Sequence, residues 1–116
     1  MMNNNELEDI AKDLIETTEL AGKKSIEIQS QGLKIITKPD NSPVTNGDLE
    51  VNKMLTEKIK SLTPNIPIIS EETVDFTKKN NLKTFWLIDP IDGTKEYIAG
   101  KDEYTINAAL VLNYIP

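Results

Sequence analysis

A chain of 116 residues and 13.0 kDa, 38% hydrophobic and 28% charged, holds one small globular domain or one piece of a larger one. Thirteen lysines face 19 acidic residues, so a net charge of -6 and a pI near 4.6 set up a field that repels nucleic-acid backbones. Cysteine, histidine and arginine are all absent, which excludes thiol nucleophiles, disulfides, Cys/His zinc centres, Ser-His-Asp triads and arginine fingers.

The first residues, Met1 to Glu8, are polar and acidic where an export signal would be basic and then apolar. The longest apolar runs, 85–88 and 108–112, fall far short of the ~20 residues a membrane span needs. A soluble, cytoplasmic chain is the expectation. Leu7, Ile10, Ala11, Leu14, Thr18, Ala21, Gly22, Ser25 and Ile26 recur at three- and four-residue steps and predict a long helix over 6–29. Gly32 closes it, β-branched residues predict a strand over 33–38, and 39–43, with two prolines, reads as a turn. Thr45 and Asp48 have capping-box spacing, so a second helix is expected over 49–61, closed by Pro64. Ile68-Ile69 predicts a short strand running into Glu71 and Glu72, and 74–81 a loop or short helix. The run 85–88 predicts a buried strand ending at Asp89-Pro90; Gly93-Thr94 opens a short helix through Ile98, and 103–114 alternates as a β segment. The fold class that follows is α+β, helices packed on a mainly antiparallel sheet.

Asp48, Glu71, Asp89 and Asp92 sit at the ends of elements, where side chains can converge. Clustered carboxylates with no histidine or arginine beside them repel one another, and a hard divalent cation with all-oxygen ligands, Mg2+ first, is the natural compensation. For Asp48 and Glu72 a local role in capping or solvation weighs equally. In Asp89-Pro90-Ile91-Asp92-Gly93-Thr94 a strand delivers two acids around a rigid proline, and the N-H groups of Gly93 and Thr94 suit a phosphate. An EF-hand loop fails on Ile88 and Pro90, which stand where ligands should be; an Asp-x-Asp-Gly-Thr phosphatase motif fails on the two residues between the aspartates; no P-loop or Rossmann glycine pattern occurs.

Three ordered motifs remain: Val44-Thr45-Asn46-Gly47-Asp48, Ser70-Glu71-Glu72, and Trp86 through Thr94. In these the chain resembles the magnesium-dependent, lithium-sensitive phosphatases of the inositol monophosphatase superfamily. In Asp40 through Thr45, Leu62-Thr63-Pro64 and above all Gly93-Thr94-Lys95-Glu96-Tyr97-Ile98 it resembles the CysQ-type 3'(2'),5'-bisphosphate nucleotidases within it. The resemblance covers nearly the whole chain but only about the first half of a family member. It implies an N-terminal metal-binding domain (1–116) of the family's layered sandwich, without the C-terminal half that carries most of the substrate surface and a further metal-binding aspartate.

The resemblance further implies that Glu71, Asp89, Asp92 and the Ile91 carbonyl hold two or three Mg2+ ions. Asp48 with the Thr94 hydroxyl would orient and deprotonate the attacking water, and Glu71, Asp92, Gly93 and Thr94 would contact substrate. Lys95 reads as a mark of the subfamily rather than a catalytic group. The implied substrate is a small phosphorylated nucleotide, 3'-phosphoadenosine 5'-phosphate, hydrolysed to AMP and phosphate as part of sulfur metabolism. An inositol-phosphate phosphatase or a non-catalytic metal-binding fragment are the alternatives, and peripheral contact with the inner membrane face, as in some relatives, is compatible. A sheet covering only half of the family fold would expose an unpaired edge, so self-association is expected. Sedimentation velocity checks this: concentration-dependent species above monomer support it, and a sharp monomer boundary at high concentration counts against it.

Overall fold

The computed structural model describes residues 3–70 and 84–112. Helix α1 (Asn4–Gln31) starts where the Asn3 side chain accepts the Glu6 N-H at 2.9 Å and ends at Gly32, whose φ of 104° stops the helix. Only Ala21, Ser25 and Ile28 on it are buried, spaced i, i+4, i+7 as one helix face requires. Ile26, expected on that face, is 61% exposed, because the buried stripe runs through 21, 25 and 28 and takes in Ile28 instead.

Strands β1 (Ile35–Thr37) and β2 (Pro43–Thr45) form an antiparallel hairpin. The segment expected to be only a turn therefore contains a strand: Pro43 sits at its first position, where the missing N-H costs nothing in a two-stranded pair. The turn is closed by Asn41 at φ 68° and by Asp40, whose Oδ1 accepts the Ser42 N-H at 3.0 Å and hydroxyl at 2.5 Å. Those two hydrogen bonds hold the Asp40 carboxyl below its ordinary range.

Helix α2 (Asn46–Leu62) begins on the residue after β2, with the expected capping box between Thr45 and Asp48. Its buried face, Val51, Leu55 and Ile59, meets Ala21 of α1. Beneath the helices lies a three-stranded sheet in the order β3 (Ile68–Ser70), β4 (Phe85–Asp92), β5 (Thr105–Val111). The β4–β5 pairing is antiparallel, and β3–β4 is parallel. Trp86, Ile88 and Ile91 complete the core, and the Trp86 indole N-H donates to Thr63 Oγ1 at 3.0 Å, so no polar group is stranded there.

The strand expected to stop at Asp89 runs on to Asp92. Between Asp89 opposite Asn107 and Asp92 opposite Thr105 the register shifts: three steps on β4 face two on β5. Such a bulge accommodates Pro90, which has no N-H for the ladder. Gly93 (φ 94°) then turns the chain into helix α3 (Thr94–Ile98). Among the described residues, no helix is long and apolar enough to cross a membrane.

Tyr97, fully buried on α3, ties these parts together. Its hydroxyl donates to the Ser25 carbonyl of α1 at 2.6 Å, and its ring meets Tyr104 edge-on at 4.7 Å. The Tyr97 ring also lies against Gly47 of α2, where a Cβ would overlap the phenol. Burial first, then Tyr104 and Asp48, push the Tyr97 phenol up to about 12. Because the folded value lies above the ordinary 10.0, its contribution to stability is complete below pH 10 and disappears as pH rises towards 12. Tyr97→Phe is expected to cost about 1 kcal/mol at neutral pH and to narrow the gap to the parent as pH climbs through that window, read from urea unfolding midpoints. Gly47→Ala is expected to cost more, roughly 1–3 kcal/mol by overpacking.

Candidate active site

The end of β2, the start of α2 and the start of α3 converge on one carboxylate. Asp48 is 1% exposed. Its Oδ2 accepts the Thr45 N-H at 2.9 Å and the Thr45 hydroxyl at 2.5 Å, while its Oδ1 accepts the Thr94 hydroxyl at 3.1 Å. Thr45 in turn accepts the Asp48 N-H at 3.2 Å, so the capping box and the contact with Thr94 use the two carboxylate oxygens separately. The capping role and the functional role are compatible in one residue. An ionised carboxylate buried this deeply requires several donors, and three are present.

Thr94 Oγ1 also lies 3.2 Å from the Ile91 carbonyl. One hydroxyl proton is shared between the Asp48 carboxylate and that carbonyl, which leaves the oxygen's lone pairs on the remaining side to accept from a water. The side chains of Thr94 and Asp48 are 46 residues apart in sequence, and what joins them is the packing of α3 against α2 through Tyr97 and Gly47.

Asp89 is partly buried with its Oδ1 fully so, Ile91 is buried, and Asp92 is exposed at the strand's end beside Gly93. In a regular strand, residues three apart face opposite sides; the bulge removes that strict alternation across Asp89 to Asp92. Glu71 and Glu72 lie outside the described residues. Among the described residues no three acidic side chains come together as a group that could hold a metal ion. The donors at the end of β4, two carboxylates and a main-chain carbonyl, are all oxygen, which fits a hard divalent cation and not zinc or copper.

Two contributors were not singled out by sequence as part of the site. Its spacing to Asp48 marks the Thr45 hydroxyl as a helix cap only, and the structure shows it also donating to the buried Asp48 carboxylate. Asn52, one turn beyond Asp48 on α2, accepts the Ser70 hydroxyl at 2.6 Å and so ties the end of β3, the residue before Glu71, to the helix that carries Asp48. No sequence signal marks Asn52 for this.

The family model of the inositol monophosphatase family matches residues 4–116. The 3'(2'),5'-bisphosphate nucleotidase CysQ of Aggregatibacter actinomycetemcomitans is 37% identical over 109 residues, which are 92% of this chain and 40% of that protein. CysQ of Haemophilus influenzae is 40% identical over 93 residues, 78% of this chain and 35% of the relative. The match thus spans 40% and 35% of the length of these two curated relatives. Among solved structures, an IMPase/NADP phosphatase complexed with NADP and Ca2+ at pH 7.0 superposes with a TM-score of 0.81 at 22% identity, over 95% of this chain and 41% of that one. The same kind of enzyme with Mg2+ and phosphate gives 0.74 at 22% identity over 94% and 45%. The Thermotoga maritima IMPase gives 0.78 at 25% identity, over 90% and 40%. These neighbours share the helix-on-sheet α+β fold.

Thr94→Val removes one of the three donors to a buried carboxylate and is expected to cost about 1–3 kcal/mol in urea unfolding. Thr94→Ser, which keeps the hydroxyl, is expected to restore most of that; equal losses in both variants would show that the methyl group, not the hydrogen bond, carries the stability.

Proposed function

The chain belongs to the inositol monophosphatase family, and from that premise we propose that it carries the catalytic half-site of a Mg2+-dependent phosphomonoesterase. The proposed reaction is that of a 3'(2'),5'-bisphosphate nucleotidase, hydrolysis of 3'-phosphoadenosine 5'-phosphate to AMP and phosphate. The single observation that carries this reading is the hydrogen bond from Thr94 to the buried Asp48, held at the turn where the Asp-Pro-x-Asp-Gly-Thr motif ends. The likeness to CysQ proteins supports the choice of substrate, since Lys95-Glu96-Tyr97 follows the motif here.

Asp89, Asp92, the Ile91 carbonyl and Glu71 would hold the ions, two or three in number, which supply positive charge to the phosphoryl group and acidify the attacking water. Everything else is work for the chain's own atoms. Thr94 Oγ1 accepts a proton from water on its open side as its own proton passes to Asp48 Oδ1, so the hydroxyl is unchanged and the carboxylate ends protonated. The Thr45 N-H and hydroxyl fix the other oxygen, Oδ2, which keeps Oδ1 aimed at Thr94 throughout. Gly93 (φ 94°) brings the backbone close to where the phosphate would sit; a Cβ there would lie 3.0 Å from the Glu103 carbonyl.

Phosphate release from 3'-phosphoadenosine 5'-phosphate, with inositol 1-phosphate in parallel, tests the reading. Mg2+-dependent release that EDTA abolishes is expected, and Asp48→Asn is expected to slow it by about 100-fold or more, the scale of a lost general base. A folded chain that releases phosphate from neither substrate overturns the catalytic reading, and a preference for inositol 1-phosphate overturns the choice of substrate.

A further inference from the structure

Helix α3 is five residues long, too short to hold its own position, so Thr94 in its first turn stands where neighbouring elements put the helix. The hydroxyl contacts of Thr94 itself, 3.1 Å to Asp48 Oδ1 and 3.2 Å to the Ile91 carbonyl, are long for O-H···O bonds. Shorter bonds lie at the other end of the helix. Tyr97 is tied to α1 by two of its polar groups: its hydroxyl donates to the Ser25 carbonyl at 2.6 Å, and its main-chain carbonyl accepts the Gln29 side-chain N-H at 2.8 Å. We propose that Gln29 is a positioning residue for the reaction: its side-chain amide clasps the C-terminal end of α3 and so sets the place of the Thr94 hydroxyl between Asp48 and the Ile91 carbonyl. This role rests on the phosphomonoesterase reading above and adds to it a residue that lies outside the three motifs, on the first helix.

The clasp acts on main-chain atoms, at a helix end that has carbonyls to spare. Gly100, at φ 78°, closes α3 with its N-H on the Tyr97 carbonyl at 3.1 Å, and the Lys101 N-H reaches the Glu96 carbonyl at 3.0 Å, the paired bonds of a Schellman end. Gln29 Nε2 takes the second lone pair of the Tyr97 carbonyl and makes a longer bond, 3.3 Å, to the carbonyl of Lys101. One amide thus joins the last turn of α3 to the chain that leaves it. Ser25 and Gln29 stand one turn apart on α1, so both grips on Tyr97 come from one face of one helix.

The helix transmits that placement. Thr94 lies three residues, about 4.5 Å of helical rise, before Tyr97, and the Tyr97 N-H is held by the Gly93 carbonyl at 3.0 Å, so a shift at the clasp is carried to Thr94. Without Gln29 the Tyr97 ring still packs on Gly47 and Tyr104, which keeps α3 docked but leaves its rotation about that ring to the hydroxyl bond alone. Gln29 is half-buried and its side chain bonds only main-chain carbonyls, so replacing it leaves the core intact. Proton transfer from Thr94 to Asp48 needs hydrogen-bond distance, and misplacement by about 1 Å can cost up to about 100-fold in rate. The oxygen donors at the end of β4 do not depend on Gln29, so the loss falls on the chemical step.

The test uses the full chain with 3'-phosphoadenosine 5'-phosphate and Mg2+, the folding of each variant being checked by circular dichroism. Gln29→Met and Gln29→Glu, which keep the side chain's length but not its donors, are expected to lower kcat about fivefold to tenfold with KM within about twofold of the parent. Thr63→Val, which loses the buried bond to the Trp86 indole, is the stability control: its urea midpoint is expected to fall at least as far while kcat stays parental. A cycle of Gln29→Met and Thr94→Val in urea unfolding reads the coupling without activity. The double variant's unfolding constant is expected to lie at least about threefold below the product of the two single effects, because both side chains act on one helix. Parental kcat in both Gln29 variants, an equal fall in Thr63→Val, or additive unfolding losses overturns the positioning role and leaves the phosphatase reading intact. A folded parent chain that releases no phosphate overturns that reading, and the part of Gln29 in the reaction with it.

Discussion

An ionised carboxylate sealed from water costs several kcal/mol unless donors replace the solvent it has lost. Asp48 meets that requirement with three donors drawn from two segments, Thr45 at the end of β2 and Thr94 at the start of α3. The constraint propagates outwards. To present both a main-chain N-H and a hydroxyl to Asp48, Thr45 must be extended, at φ -113° and ψ 166°, which makes it the last strand residue and the helix cap at once. To reach Oδ1, Thr94 must stand directly after a left-handed Gly93, and that fixes where β4 can end.

The second layer of support is hydrophobic with polar anchors. Tyr97 brings α3 onto α2 through Gly47, and its hydroxyl and that of Tyr104 both reach Ser25, one to its carbonyl and one to its side chain at 3.0 Å. Gln29 adds hydrogen bonds to the carbonyls of Tyr97 at 2.8 Å and Lys101 at 3.3 Å. Through these contacts the C-terminal part of α1 grips the turn that carries Thr94. The buried stretch of α1 is confined to Ala21, Ser25 and Ile28, so this helix is held at the end nearest the site.

Elements whose identity depends on local signals were legible in the residues. The long first helix, the capping box at Thr45, the strand after Thr84 and the short helix after Gly93 all follow from spacing, caps and glycine. What depends on pairing between distant segments was not. Pro43 looks like a breaker until a partner strand makes its missing N-H irrelevant; β4 looks finished at Asp89 until a bulge absorbs Pro90; and periodicity carries no trace of the parallel direction of β3 against β4. At the site, motif order brought out Asp48, Asp89, Asp92 and Thr94, and the family resemblance already paired Asp48 with the Thr94 hydroxyl. That Asp48 and Thr94 are bonded is a product of tertiary packing, and Glu71 lies outside the described residues.

The hairpin has a further implication. Its second strand is three residues long, with Ser42 just before its start and Thr45 at its end. One end lies beside the small pocket that Ser42 and Pro43 line together with α3, and the other supports the buried carboxylate of Asp48. In the tip Pro39, Asp40 and Asn41 are exposed and Lys38 and Ser42 half-buried, whereas Val44, Thr45, Gly47 and Asp48 are buried and leave no slack. Changes of length or charge therefore have a place to accumulate in this architecture, at the outer end of β2, that leaves the hydrogen-bonded pair of Asp48 and Thr94 undisturbed.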